Sequence, residues 1–193
     1  MIRRGLLAIL GSVLLCAGGC LLTEQGWLAA KAGVAELLIE RALRAHLRDG
    51  ENHRPWSWAD THPIARLEVP RLNVRRRVLA GASGSSLAFG PGHVDGTAQP
   101  NRPGNCAVAG HRDSWFAFLE KLRIDDEIVV RARSGVRRYR VTDIAVHRDS
   151  DVGVLEPGAE TRLTLITCYP FDGLRGSPWR YVVTCRESAS TTG

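Results

Sequence analysis

The sequence predicts a mainly β domain, a closed or nearly closed barrel with one or two short helices, set behind an apolar amino-terminal segment and a helical stalk. Three observations predict it. From Ile64 onward the chain breaks into short apolar, β-branched runs separated by Gly, Pro, Asn and Asp. Residues 27–48 instead repeat their apolar positions at helical spacing. Residues 5–23 carry no charged side chain.

In chain order, "MIRRGLLAILGSVLLCAGGCLLTEQGW" opens with Arg3 and Arg4 and then runs uncharged from Gly5 to Thr23. As a helix, that stretch is about 28 Å long, close to the hydrocarbon thickness of a bilayer. Arginines on its amino-terminal flank favour that end remaining in the cytoplasm. The expectation for residues 1–26 is therefore an uncleaved single-pass anchor in the inner membrane, with the rest of the chain on the periplasmic side. A cleaved signal peptide is the rival, since "CAGGC" offers small residues. A lipoprotein-type Cys20 is a third reading, weakened by Ala17. Residues 27–63 are expected to form a stalk and linker. Leu28, Ala32, Ala35, Leu38, Ile39, Ala42, Leu43 and Leu47 share one helical stripe, and "DGENHRPWSWADTHP" breaks the periodicity. Trp56 and Trp58 in that linker suit either a lipid interface or packing on the domain.

Residues 64–187 form the expected catalytic domain. "ARLEVPRL", "RRRVLAG", "NCAVAG", "DEIVVRAR", "VRRYRVTDIAVHR", "TRLTLITC" and "RYVVTCR" read as strands. "SWFAFLEKL", residues 114–122, reads as a helix capped by Ser114 or Asp113. Many short strands with so few helices point to a barrel. Residues 188–193 are expected to be a disordered tail.

Composition narrows the function classes. With 44% hydrophobic and 24% charged residues, neither a disordered chain nor a polytopic membrane protein fits. The net charge is +6, but beyond residue 49 there are twenty basic against sixteen acidic residues, interleaved. That is a weak footprint for nucleic acid, and no stacking platform or binding motif accompanies it. The five cysteines form no CxxC and no Cys/His ligand spacing, so no metal or other cofactor is expected. Cys106, Cys168 and Cys185 remain in the soluble part, an odd set in an exported domain.

Cys168 ends an apolar strand, and Pro170 cannot donate a ladder hydrogen bond, so pairing should stop there. A thiol at a strand end is either a nucleophile presented to a cleft or a packed, inert side chain. A nucleophilic cysteine needs a base or cation nearby, because little of it is thiolate at its free pKa. His46, His53 and His62 lie in the stalk and linker, and His147 at a charged strand end. His111, just after Gly110 at the end of "NCAVAG", has the same strand-to-loop placement as Cys168. His93, in the Gly/Pro turn "FGPGH", shapes that turn or lines the cleft. Acyl transfer also calls for a fixed cation where the oxyanion develops. Arg180 opens the strand after the Cys168 loop, Arg175 lies within the loop, and Arg186 sits at the far strand end.

On these residues the chain resembles the sortases. "TLITC" at 164–168, an arginine twelve positions later and "VAGH" at 108–111 match that family's cysteine, arginine and histidine motifs in order and spacing. "AGHRDSWFAFLEKL" followed by "DDEIVV" is similar to the class D branch. "FGPGH", "GTAQP…NRPGN" and "TCYPFD" resemble the sortases of Gram-negative proteobacteria. The resemblance implies an eight-stranded barrel and a membrane-anchored cysteine transpeptidase. It implies that Cys168 forms a thioester with a protein bearing an LPxTG-like carboxy-terminal sorting signal. His111 would shuttle the proton, Arg180 would hold the substrate and oxyanion, and an amine on the cell envelope would accept the product. Thr167 and His93 are the expected substrate-binding residues. Two alternatives stand beside this reading: an exported peptide-binding barrel without catalysis, and another cysteine acyltransferase such as an L,D-transpeptidase. The latter normally carries a glycine before its cysteine, and "LITCYPF" lacks it.

Overall fold

A computed structural model of the 193-residue chain describes residues 26–27, 30–173 and 176–188. Residues 1–25 of the expected membrane segment and residues 189–193 of the expected tail lie outside the described residues, whereas Ser188, the first residue of that tail, is ordered by bonds from its N–H and hydroxyl to the Arg138 carbonyl at 2.9 and 3.0 Å. Among the described residues no helix is long and apolar enough to cross a membrane. The chain divides into two units, Met1–Leu38 and Ile39–Gly193. In the first, residues 30–38 are helical and mostly exposed, and the Lys31 ammonium sits 4.9 Å from the centre of the Trp27 ring.

The second unit is the predicted barrel. Its strands are β1 (Pro63–Val69), β2 (Val74–Leu79), β3 (Gly92–His93), β4 (Asn105–Ala109), β5 (Glu127–Ala132), β6 (Gly135–Arg148), β7 (Arg162–Tyr169) and β8 (Trp179–Glu187). They close in the order β1-β2-β3-β4-β7-β8-β6-β5. Seven of the eight follow the hydrophobic runs of the sequence. β3 does not: it is two residues in a Gly-rich turn, joined to β2 through Leu79 opposite Gly92. A Cβ on Gly92 would fall 2.2 Å from the Gly81 carbonyl oxygen, so only glycine fits there. Backbone bonding alone makes this strand, which is why no side-chain pattern announced it.

Alternation along the strands sends Leu67, Val108, Ile128, Leu163, Leu165, Val183 and Cys185 into one apolar core. The segment read as a helix at 114–122 is instead a turn leading into a 3₁₀ helix at Ala117–Lys121. Phe116, Leu119 and Leu122 are buried at a spacing of three. Leu119 N–H bonds to the Phe116 carbonyl at 3.0 Å and Leu122 N–H to that of Leu119 at 3.1 Å, the i→i+3 pattern.

The stalk expectation also changes. Residues 39–49 are helical and belong to the barrel unit, with Ile39, Ala42 and Leu43 buried. The Glu40 carboxylate accepts hydrogen bonds from Arg66 on β1 and Arg77 on β2, and from Arg44 one turn on. In the linker, Trp56 packs edge-on against Phe89 with ring centres 5.0 Å apart, whereas Trp58 is exposed.

Candidate active site

Three strand ends build the site. β4 and β7 run parallel, with Ala109 opposite Ile166. Gly110 N–H continues the ladder to the Ile166 carbonyl at 3.1 Å. His111 follows Gly110 directly, just past this last rung, and so leaves β4 at the end of β7 that carries Cys168. β8 pairs antiparallel with β7 on its other side, and Arg180 is the residue directly opposite Cys168. Side chains directly across an antiparallel pair share a face, with Cβ atoms about 5 Å apart. The barrel order β4-β7-β8 thus sets Cys168 between the strand bearing His111 and the strand bearing Arg180.

Leu163 and Leu165 point into the core, so period-two alternation turns Cys168 to the opposite face. Cys168 is half-buried and unbridged, and His111 is exposed. Arg180 donates through Nη1 to the Ser177 carbonyl at 2.6 Å and the Trp179 carbonyl at 3.0 Å, and its Nη2 lies 3.5 Å from the Asp149 carboxylate. Asp149 N–H also bonds to the Pro178 carbonyl at 2.7 Å, joining the end of β6 to the start of β8. The arginine head group is thereby held at the rim.

The surroundings fix these ends. A Cβ on Gly110 would lie 2.8 Å from the Phe116 ring, and Phe116 N–H bonds back to the His111 carbonyl at 2.9 Å. The missing side chain lets the ring close over the strand end and shapes the His111 turn. Tyr169 stacks on Tyr181 with centres 6.1 Å apart, and Phe171 meets Tyr181 edge-on at 5.0 Å, bracing the residues beside Cys168 and Arg180. The other two thiols have a different environment: burial pushes Cys106 up to about 12 and raises Cys185 as well. Both belong to the apolar core.

The two expected substrate-binding residues lie elsewhere. Thr167 is buried on the core-facing side of β7, and its hydroxyl donates to the Gly110 carbonyl at 2.7 Å. It ties β7 to β4 rather than facing the side on which Cys168 stands. His93 is buried with its Nε2 2.9 Å from the Ala98 carbonyl oxygen and 3.1 Å from the Thr97 hydroxyl. It lines a cavity of about 430 Å³ shared with His46, His62, Asp95 and Arg102, of which Cys168 is not a lining residue. Sequence reasoning missed Arg112 and Asp149. Arg112 follows His111 directly and was visible as "GHR", but nothing local tells which carbonyls an arginine will reach.

The chain matches the Sortase domain over residues 67–188. It is 27% identical over 118 residues to Sortase D of Bacillus subtilis, covering 61% of this chain and 60% of that protein. The chain therefore spans less than two thirds of the length of that curated relative. Among solved structures it is similar to the catalytic domain of B. anthracis SrtD, with a TM-score of 0.57 and 30% identity, covering 66% of this chain and 88% of that one. A Clostridium perfringens Sortase D5 transpeptidase shares the fold, with a TM-score of 0.68 at 23% identity over 81% of this chain and 99% of that chain.

Proposed function

The chain belongs to the sortase family of cysteine transpeptidases, and from that premise we propose that it is a membrane-anchored transpeptidase of the class D kind found in Gram-negative envelopes. It cleaves an LPxTG-like sorting signal after the threonine and transfers the substrate protein to an amine. The observation that carries this reading is the order of strand ends, with Cys168 between those of His111 and Arg180.

In the first half-reaction the Cys168 thiolate attacks the scissile carbonyl carbon and a C–S bond forms. Negative charge builds on the carbonyl oxygen, and the Arg180 guanidinium, on the opposed residue, stabilises it. The C–N bond then breaks, His111 gives its proton to the departing amine, and a thioester remains. In the second half-reaction an acceptor amine attacks the thioester and His111 takes up its proton. The C–S bond breaks and the thiolate is restored. The uncharged run of residues 5–23 behind Arg3 and Arg4 supports an inner-membrane anchor with the catalytic domain on the periplasmic side.

Alanine at Cys168, His111 or Arg180 in turn tests the assignment, with turnover of LPxTG-type peptides in the presence of an amine as the readout. Each substitution is expected to lower turnover at least about 100-fold while the far-UV CD spectrum is retained. Near wild-type turnover in Arg180→Ala, with loss in Arg175→Ala, would transfer the cation's role to Arg175.

A further inference from the structure

Arg112 reaches across the site. Its Nη1 donates to the Pro170 carbonyl at 2.8 Å and its Nη2 to the Gly173 carbonyl. Gly173 N–H bonds to the Pro170 carbonyl at 3.3 Å, so both acceptors belong to one turn at the start of the β7–β8 connection. The guanidinium lies flat against Gly173. A Cβ there would fall 3.0 Å from Nη1 and 3.3 Å from Cζ and Nη2, so a side chain at 173 would push the guanidinium back by a few tenths of an ångström. Arg112 is covalently next to His111, and Pro170 is two residues beyond Cys168. A short ring of contacts thus runs from His111 through Arg112 and Pro170 back to Cys168, separate from the β4–β7 ladder.

We propose that Arg112 is a positioning residue of this site: its guanidinium, forked over the carbonyls of Pro170 and Gly173, fixes the peptide after Cys168 to the His111 turn. It thereby sets the spacing of nucleophile and proton shuttle and holds the cleft wall against which the acylating peptide lies. The role rests on the reading of Cys168 and His111 given above. It depends on the two-pronged planar donor, since a lysine ammonium is a single compact charge that does not reproduce the flat fork. A displacement of about 1 Å at such a spacing costs on the order of 100-fold in rate.

The test uses the full chain as wild type, Arg112→Ala, Arg112→Lys, Gly173→Ala and the Arg112→Ala/Gly173→Ala double variant. Hydrogen exchange is followed over residues 169–173, and the rate of Cys168 acylation by a panel of LPxTG-type peptides is read by intact mass. Both Arg112 variants are expected to exchange about tenfold faster at the Gly173 amide and to acylate about 100-fold more slowly. Alkylation of Cys168 by iodoacetamide, which needs no proton shuttle, should change by less than about threefold. Gly173→Ala should weaken acylation from the other side of the same contact, and the double variant should be no worse than Arg112→Ala. Wild-type acylation in Arg112→Lys would overturn the fork in favour of charge alone. Unchanged exchange in Arg112→Ala would overturn the clamp, whatever the peptides do. Undiminished peptide turnover in Cys168→Ala would instead overturn the proposed function, while the exchange comparison still decides the clamp.

Discussion

Cys106, Cys168 and Cys185 carry the same thiol in different settings. Burial pushes Cys106 up to about 12 and raises Cys185, so both core thiols stay protonated at pH 8. Cys168 stands half-buried at a strand end, opposite an arginine. Iodoacetamide at pH 8, followed by digestion and mapping, is therefore expected to label Cys168 and to spare Cys106 and Cys185 in the native chain. Faster labelling of either core thiol would contradict the assignment. Thr167 acts one residue away, through its bond to the Gly110 carbonyl. Thr167→Val keeps the volume and removes the donor, which should cost about 1–2 kcal/mol of stability and slow acylation, whereas Thr167→Ser should keep most of both. The placement of Cys168, His111 and Arg180 at or just beyond strand ends was legible in the sequence because each borders a recognisable strand. The hydrogen-bond partners of Thr167 and His93 were not. Which face of a strand a threonine takes, and which carbonyl a histidine meets, depends on partners distant in sequence.

At the scale of elements, the long strands were readable from β-branched alternation, whereas β3 and the 3₁₀ helix were not. The first is held by backbone bonds, and the second shares its apolar residues with an α-helical pattern. One loop holds the far side of the barrel together. Asn101, at φ 62°, donates to the carbonyls of Val130 at 3.0 Å and Gly135 at 2.8 Å and accepts from the Tyr139 hydroxyl at 3.0 Å. Asn101→Ala orphans these buried groups and puts a Cβ without a compensating bond in the left-handed region. It should lower stability by about 3 kcal/mol, read by urea unfolding. The helix over residues 39–49 packs on the barrel rather than forming a free stalk, and the sequence does not distinguish the two because an apolar helical stripe looks the same whether it meets lipid, a partner or its own domain. Ile39 and Leu43 are 3% and 0% exposed. A chain begun at Asn52 should therefore be less stable than one begun at residue 30 by about 3–6 kcal/mol, counting those two side chains alone. Equal melting temperatures would show that the helix adds nothing to the barrel.

For the whole molecule, arginine clusters hold two carboxylates: Glu40 joins the helix to β1 and β2, and Asp126 joins the start of β5 to the turn between β1 and β2. Burial by itself would raise Glu40, but hydrogen bonds from Arg77, Arg66 and Arg44 together bring it below its usual value. Asp126 is lowered by hydrogen bonds from Arg71, against a smaller effect of burial. Groups with lowered folded-state values contribute stability that is fully present above their unfolded values and is lost as pH falls through the folded ones. The contribution of these two carboxylates to thermal stability should therefore be constant near neutrality and decline below about pH 4, as read by melting temperature against pH. Arg71→Met should remove part of that acid dependence. The proposed activity, though, is covalent and belongs to the whole molecule at work. The most direct measurement mixes the full chain with LPxTG-type peptides and reads intact mass with the adduct mapped by digestion. The expected product is a peptide-acyl adduct on Cys168 that disappears when an amine is added and reappears as an amine-joined peptide. An unmodified Cys168 under conditions where iodoacetamide labels it readily would contradict the LPxTG assignment, and a Cys168 that neither reagent reaches would contradict the nucleophile itself.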